Sequence, residues 1–369
     1  MESKAYEMAG ILALTLFAIV GDDSPGDGSV DQSVRMPQKN SASHEIDRRE
    51  GHLNRRRPRR GLRGSNQKQI PRTSIGLTPI SEMAGNSNYK GEEGGLYGKG
   101  SNEPPADHLK AALELARQIS PLDQFGNADP QGRIGLVSIG MSNTADHFQR
   151  FMELTRIEEG ISPSLMLVNG AQRGKTAIGW AKGEMPWQGL DQRLVKAGLS
   201  SQQVQVIWCL LCVARPAADG GFPTHVKRFD TLTSVVYARL KAKFPNLQIA
   251  YISSRVYAGY ASGRLNPEPY AYEYGFGVRN QILRQIAGDP TLNYDPAKGA
   301  ARAPLLLWGP YLWADGTTPR KSDDLTWSRQ DFKQDGVHPS KSGTDKSVRI
   351  ILDFFKSDPT AKPWFLIAG

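Results

Sequence analysis

From about residue 104 onward, short unbroken apolar runs alternate with segments whose apolar residues recur every three to four positions. The runs are Ile134–Ile139, Leu165–Val168, Val204–Val213, Leu247–Ile252 and Pro304–Trp308. Runs of this length with no polar alternation read as strands buried on both faces. Helical periodicity marks Ala145–Glu158, His225–Phe244, Tyr272–Ile286 and Gly343–Phe355. A further helix is expected over Pro105–Ser120, with Pro in its first turn and Leu109, Ala112, Leu113 and Ala116 on one stripe. Strands alternating with helices predict a three-layer α/β/α sandwich over residues 105–369, built on a five-stranded parallel sheet.

The first 104 residues read differently. Ala9–Gly21 is apolar and thirteen residues long, too short to cross a bilayer comfortably and close to the length of a signal-peptide core. Glu2 and Glu7 outweigh Lys4 beside it, and no clean small-x-small cleavage site follows, so an export signal and a short amphipathic helix or hydrophobic segment both stand as readings. Residues 22–104 carry neither helical nor strand periodicity and are rich in Gly, Ser, Asn and Pro. That composition predicts a disordered linker or tail.

Charge sharpens this division. The 369 residues have a formal charge of +9, which by itself suggests a polyanion partner. Between Arg48 and Arg72, however, ten Lys and Arg stand against the single acid Glu50, equal to the whole excess. The stretch lacks interleaved aromatics and no nucleic-acid fold follows it, so a solvated tail is the favoured reading over a nucleic-acid arm. Two cysteines rule out a disulfide scaffold. Cys209 and Cys212 lie within an apolar run and read as buried thiols rather than a redox pair.

In a parallel sheet, ligands bind at the carboxyl ends of the strands. After the first run comes Gly140-Met141-Ser142-Asn143-Thr144, where Ser142 suits either a nucleophile on a tight turn or a helix cap. After the second comes Asn169-Gly170-Ala171-Gln172-Arg173-Gly174-Lys175-Thr176. Its glycine spacing is one residue short of a phosphate-binding P-loop, and a free Gly174 N–H there suits a developing oxyanion. Near the C-terminus, Asp335-Gly336-Val337-His338 puts a carboxylate three residues before a His that it can orient.

Taken together in this order, the three segments resemble the SGNH (GDSL-like) hydrolase family over about residues 132–355. Ile139 to Thr144 is similar to that family's first block, Asn169 to Thr176 to its second, and Asp335 with His338 to its fifth. The resemblance implies a flavodoxin-like α/β/α fold and a serine ester hydrolase acting on acyl or acetyl esters, often of carbohydrates or lipids. Ser142 would be nucleophile, His338 general base, Asp335 its orienter, and the Ser142 and Gly174 amides the oxyanion donors, with no metal or organic cofactor. One block departs: no Asn follows the third strand, where the chain reads Cys212-Val213-Ala214-Arg215, and Arg215 is nearest the expected place. A catalytically weak or inactive ligand-binding protein of the same fold is therefore the alternative, and a tethering role for the Arg-rich tail a third.

Arg255, Tyr257 and Tyr260 follow the fourth strand on the expected substrate side and are candidate substrate contacts. Trp308, Tyr311 and Trp313 suit either a sugar-binding wall or the core. His225 reads as a surface or capping residue, and Glu273 with Arg279 as a helix pair.

Overall fold

The computed structural model describes residues 72–84 and 87–367; the Ala9–Gly21 run and the Arg-rich stretch up to residue 71 lie outside them. The main sheet has five strands: β3 (Ile134–Gly140), β4 (Leu165–Val168), β5 (Val204–Leu210), β6 (Ile249–Ile252) and β7 (Leu305–Trp308). All neighbours pair in parallel, in the order β4-β3-β5-β6-β7. Every residue of β3, β5, β6 and β7 is buried, which is why the sequence shows unbroken apolar runs there.

Helices cover both faces. On one side α1 (Ala106–Gln118), α2 (Ser142–Thr155), α7 (Lys341–Ser357) and α8 (Lys362–Phe365) pack in succession. On the other lie α3 (Ala177–Lys182), α4 (Met185–Ala197), α5 (Thr224–Lys243) and α6 (Tyr270–Ile286). The fold is thus the expected three-layer α/β/α sandwich. The chain steps outward from β3 to β4 and then back across to β5, so the crevice between the ends of β3 and β5 is the topological switch point. Among the described residues, no helix is long and apolar enough to cross a membrane.

The packed region begins well before residue 105, which corrects the boundary read from periodicity. Ile80, Met83 and Tyr97 are buried in the main core. Asp315 accepts from Ser74 Oγ at 2.5 Å, Ile75 N at 2.8 Å and Gly76 N at 3.0 Å. A short hairpin, β1 (Asn88–Tyr89) with β2 (Glu92–Glu93), follows. The Gly-rich composition that suggested disorder serves close approach instead: a Cβ on Gly94 would lie 1.9 Å from the Met83 carbonyl oxygen. Anchors this widely spaced leave no periodic signal.

Helix α6 grips that hairpin, so Glu273 and Arg279 do not pair with each other. Glu273 accepts from Tyr89 Oη at 2.6 Å and Lys90 Nζ at 2.8 Å, while Arg279 bonds Glu92 and the Glu93 carbonyl. His225 is not a surface residue; it is buried beside Glu273 at 3.2 Å, within a ring of aromatic edges. Both cysteines are buried free thiols.

Candidate active site

Ser142 stands on the turn where β3 passes into α2, at the switch point. Ser142 is the first residue of α2, and the cap position before it is Met141, whose amide donates to the Thr144 hydroxyl at 3.2 Å while that hydroxyl donates to the Leu210 carbonyl at 2.6 Å. The Ser142 hydroxyl is left available and meets His338 Nε2 at 2.8 Å. His338 Nδ1 in turn lies 2.5 Å from Asp335 Oδ2. A carboxylate can only accept, so Nδ1 carries the proton, and in the neutral ring Nε2 is the acceptor for Ser142.

The turn holding Asp335 and His338 is built from local bonds. Asp335 Oδ1 accepts the Val337 and His338 amides at 2.9 and 3.0 Å. Partial burial pushes against ionisation of Asp335, but these two amides and the His338 ring outweigh it and hold the carboxyl below its ordinary range. The Lys333 amide donates to the His338 carbonyl at 2.8 Å, closing the turn. Gly336 adopts φ +69°, and a Cβ there would sit 1.8 Å from the Tyr260 carbonyl oxygen, so only glycine lets the turn press against the 257–262 loop. Ser262 N closes the contact by donating to the Asp335 carbonyl at 3.0 Å.

The Gly174 loop is tied to the same place. The Gly140 carbonyl accepts both Gln172 N and Trp180 Nε1 at 3.0 Å. Gly174 is exposed with φ +75°. Among the described residues, neither its amide nor that of Ser142 donates to a protein acceptor. Asp146, one turn along α2 from Ser142, pairs with Arg173 beside Gly174 and with Lys333 Nζ at 3.2 Å in the His338 turn. Sequence reasoning passed over Asp146; its only signal was the four-residue step from Ser142.

Other expected site residues fall elsewhere. Arg215 adopts a left-handed conformation, with its amide on the Leu265 carbonyl at 2.7 Å. It lines an open groove of about 660 Å³ with Ala217, Ala218, Gly263, Arg264 and Leu265, and is not joined to Ser142 or His338 by any bond. Tyr257 and Tyr260 are buried, and their hydroxyls are spent on the carbonyls of Arg72 at 2.8 Å and Trp327 at 3.0 Å. They brace loops rather than face a substrate. Arg255 is also buried, behind the Val337 carbonyl. Trp308, Tyr311 and Trp313 close the core beneath the N-terminal segment, with Trp308 Nε1 on Leu96 and Tyr311 Oη on the Ile80 amide. Among the described residues, no three His, Cys, Asp or Glu side chains converge to hold a metal ion.

No family model matches the chain, and neither does any curated protein. Among solved structures, a putative acylhydrolase from Bacteroides fragilis aligns at 12% identity and TM-score 0.35, covering 68% of this chain and 97% of its own. A lipase from a goat rumen metagenome aligns at 13% identity and TM-score 0.34, covering 60% and 96%. An extracellular lipase from Streptomyces rimosus gives 12% identity and TM-score 0.29, covering 60% and 99%. These likenesses are weak, and the activities in those names belong to those proteins.

Proposed function

We propose that the chain is a serine ester hydrolase acting on an acyl or acetyl ester. The observation that carries this reading is the unbroken hydrogen-bonded line from Ser142 Oγ to His338 Nε2 and from His338 Nδ1 to Asp335. A hydroxyl, an imidazole and a carboxylate so joined are what nucleophilic acyl transfer needs.

Ser142 Oγ attacks the ester carbonyl carbon as His338 Nε2 takes the hydroxyl proton, and the carbonyl π pair moves onto oxygen. The resulting oxyanion is met by the Ser142 and Gly174 amides, neither of which donates to an acceptor among the described residues. Collapse of the adduct breaks the bond to the alcohol oxygen, which leaves with the proton from His338. Water then attacks the acyl carbonyl carbon while His338 Nε2 takes its proton; collapse breaks the bond to Ser142 Oγ, which regains that proton from His338, and the acid is released. Asp335 stays ionised throughout, fixing the ring tautomer and stabilising the imidazolium.

Between β5 and α5 no Asn is available as a side-chain oxyanion donor, and Arg215 lines the groove formed with Ala217, Ala218, Gly263, Arg264 and Leu265. One such donor contributes about 10²–10³-fold in rate, so a slow esterase is expected. The same gap favours the second reading, a ligand-binding protein without turnover.

The test is hydrolysis of nitrophenyl acetate by the wild type, Ser142→Ala and His338→Ala. The esterase reading expects a slow wild-type rate lost in both variants. Equal rates in wild type and Ser142→Ala would overturn it.

A further inference from the structure

Arg255 is 3% exposed, and among the described residues no carboxylate lies within ion-pairing distance of it. Its charge acts on the buried Glu268 carboxyl only at longer range, and a buried guanidinium without a bonded counter-charge is costly and is kept only where its donors are used. It reaches from the loop after β6 across the end of β5. There Nη1 lies 3.6 Å from Cys212 Sγ, which itself touches Met141 Sδ at 3.1 Å; Nη2 lies 3.5 Å from the Val337 carbonyl oxygen. Among the described residues its Nε has no partner. The guanidinium is thus bracketed by Cys212, which packs on the residue before Ser142, and by Val337, the residue before His338.

The Val337 carbonyl has a second donor, Asn143 Nδ2, at 3.3 Å. Asn143 is buried and directly follows Ser142. That carbonyl shares its peptide plane with the His338 amide, and the amide donates to Asp335 Oδ1 at 3.0 Å. The plane on which His338 is mounted is therefore held at both edges, by Asp335 on the N–H side and by Asn143 and Arg255 on the oxygen side. Rotation of that plane would swing the imidazole away from Ser142.

We infer that Arg255, acting with Asn143 through the Val337 carbonyl, is a positioning residue that sets the reach of His338 Nε2 to Ser142 Oγ. This rests on the esterase reading for its kinetic consequence but not for its geometric one. Neither contact is short, so the brace depends on both donors and on the fixed charge of the guanidinium rather than on one strong bond. A displaced base lowers the chemical step and leaves binding of a small ester almost unchanged.

The experiment compares wild type, Arg255→Met, Arg255→Lys and Asn143→Ala. With nitrophenyl acetate, Arg255→Met should lower kcat about 10- to 100-fold with KM within about threefold, Arg255→Lys should lose less, and added guanidinium should restore part of the Arg255→Met rate. Independently of substrate, the low-field proton NMR signal of His338 Nδ1–H, assigned by its loss in Asp335→Asn, should shift or broaden in Arg255→Met and in Asn143→Ala. An unchanged kcat together with an unchanged Nδ1–H signal would overturn the inference, as would a loss confined to KM. Should Arg255→Met fail to fold, Arg255→Lys and Asn143→Ala carry the same test. If wild type shows no Ser142-dependent turnover while the Nδ1–H signal still responds to Arg255, the esterase reading falls and the brace stands.

Discussion

The Thr144 hydroxyl donates to the Leu210 carbonyl at 2.6 Å, tying the first turn of α2 to the end of β5 across the switch point. Both ends of this bond are buried. Thr144→Val keeps the shape and removes the hydroxyl, leaving the Leu210 carbonyl and the Met141 amide unsatisfied. The expected cost is about 1–3 kcal/mol, measured by denaturant unfolding. Activity should fall as well, because the orphaned Met141 amide competes for the Ser142 hydroxyl. A variant as stable and as active as wild type would show that the cap does not reserve Ser142.

Asp146 couples both loops of the site to α2, but through exposed partners: Arg173 and Lys333 are 66% and 50% exposed. Screening limits such pairs to under about 1 kcal/mol of stability. Asp146→Asn should therefore unfold near the wild-type denaturant midpoint. Its turnover should fall severalfold at low salt, and rising ionic strength should bring wild type toward the variant. A turnover difference that persists undiminished in molar salt would contradict this role.

Two buried groups titrate in opposite senses over mildly acid pH. Burial lowers His147 to about 4, below its unfolded value of about 6.5, so the stability it permits is lost as pH falls through that window. Burial raises Glu268 to about 7, against the donors Trp313, Ala258 and Tyr272, so from about 4.5 to 7 the fold binds the extra proton and loses stability as pH rises. The two slopes offset each other in wild type near pH 5–6. His147→Leu should uncover the Glu268 limb, with melting temperature falling as pH rises from 5 to 7. Parallel pH profiles for wild type and His147→Leu would show that His147 is not held neutral by the fold.

Asp315 anchors the N-terminal segment through Ser74, Ile75 and Gly76. Asp315→Ala should free that segment, giving rapid tryptic cleavage after Arg72 and a loss of about 2–3 kcal/mol. A chain starting at residue 104 should fare worse, since it uncovers Trp308 and Tyr311. Wild-type stability in either would return the start of the fold to the boundary suggested by periodicity.

The sheet was legible because four of its five strands are buried throughout and so read as apolar runs. The third run nonetheless continues to Val213 while β5 ends at Leu210. There the Val213 backbone leaves the ladder for side chains, Asn266 and Tyr274 donating to its carbonyl. Helices α3 and α4 were missed because Gly179, Gly183, Pro186 and Gly189 interrupt their pattern. The Asp335–His338 pair was legible because it is local, and Ser142 because it ends a strand. The Asn143 and Arg255 contacts to Val337, and the burial of Tyr257 and Tyr260 against Arg72 and Trp327, depend on where loops far apart in sequence meet. No local pattern encodes that.

In the proposed reaction His338 activates Ser142 as a nucleophile. The most direct test of this step is covalent trapping with a fluorophosphonate, followed by mass spectrometry of the digested protein. The account predicts one adduct, on the peptide containing Ser142, absent from Ser142→Ala and strongly reduced in His338→Ala. Labelling of Ser142→Ala at the wild-type rate, or an adduct on a different residue, would contradict it.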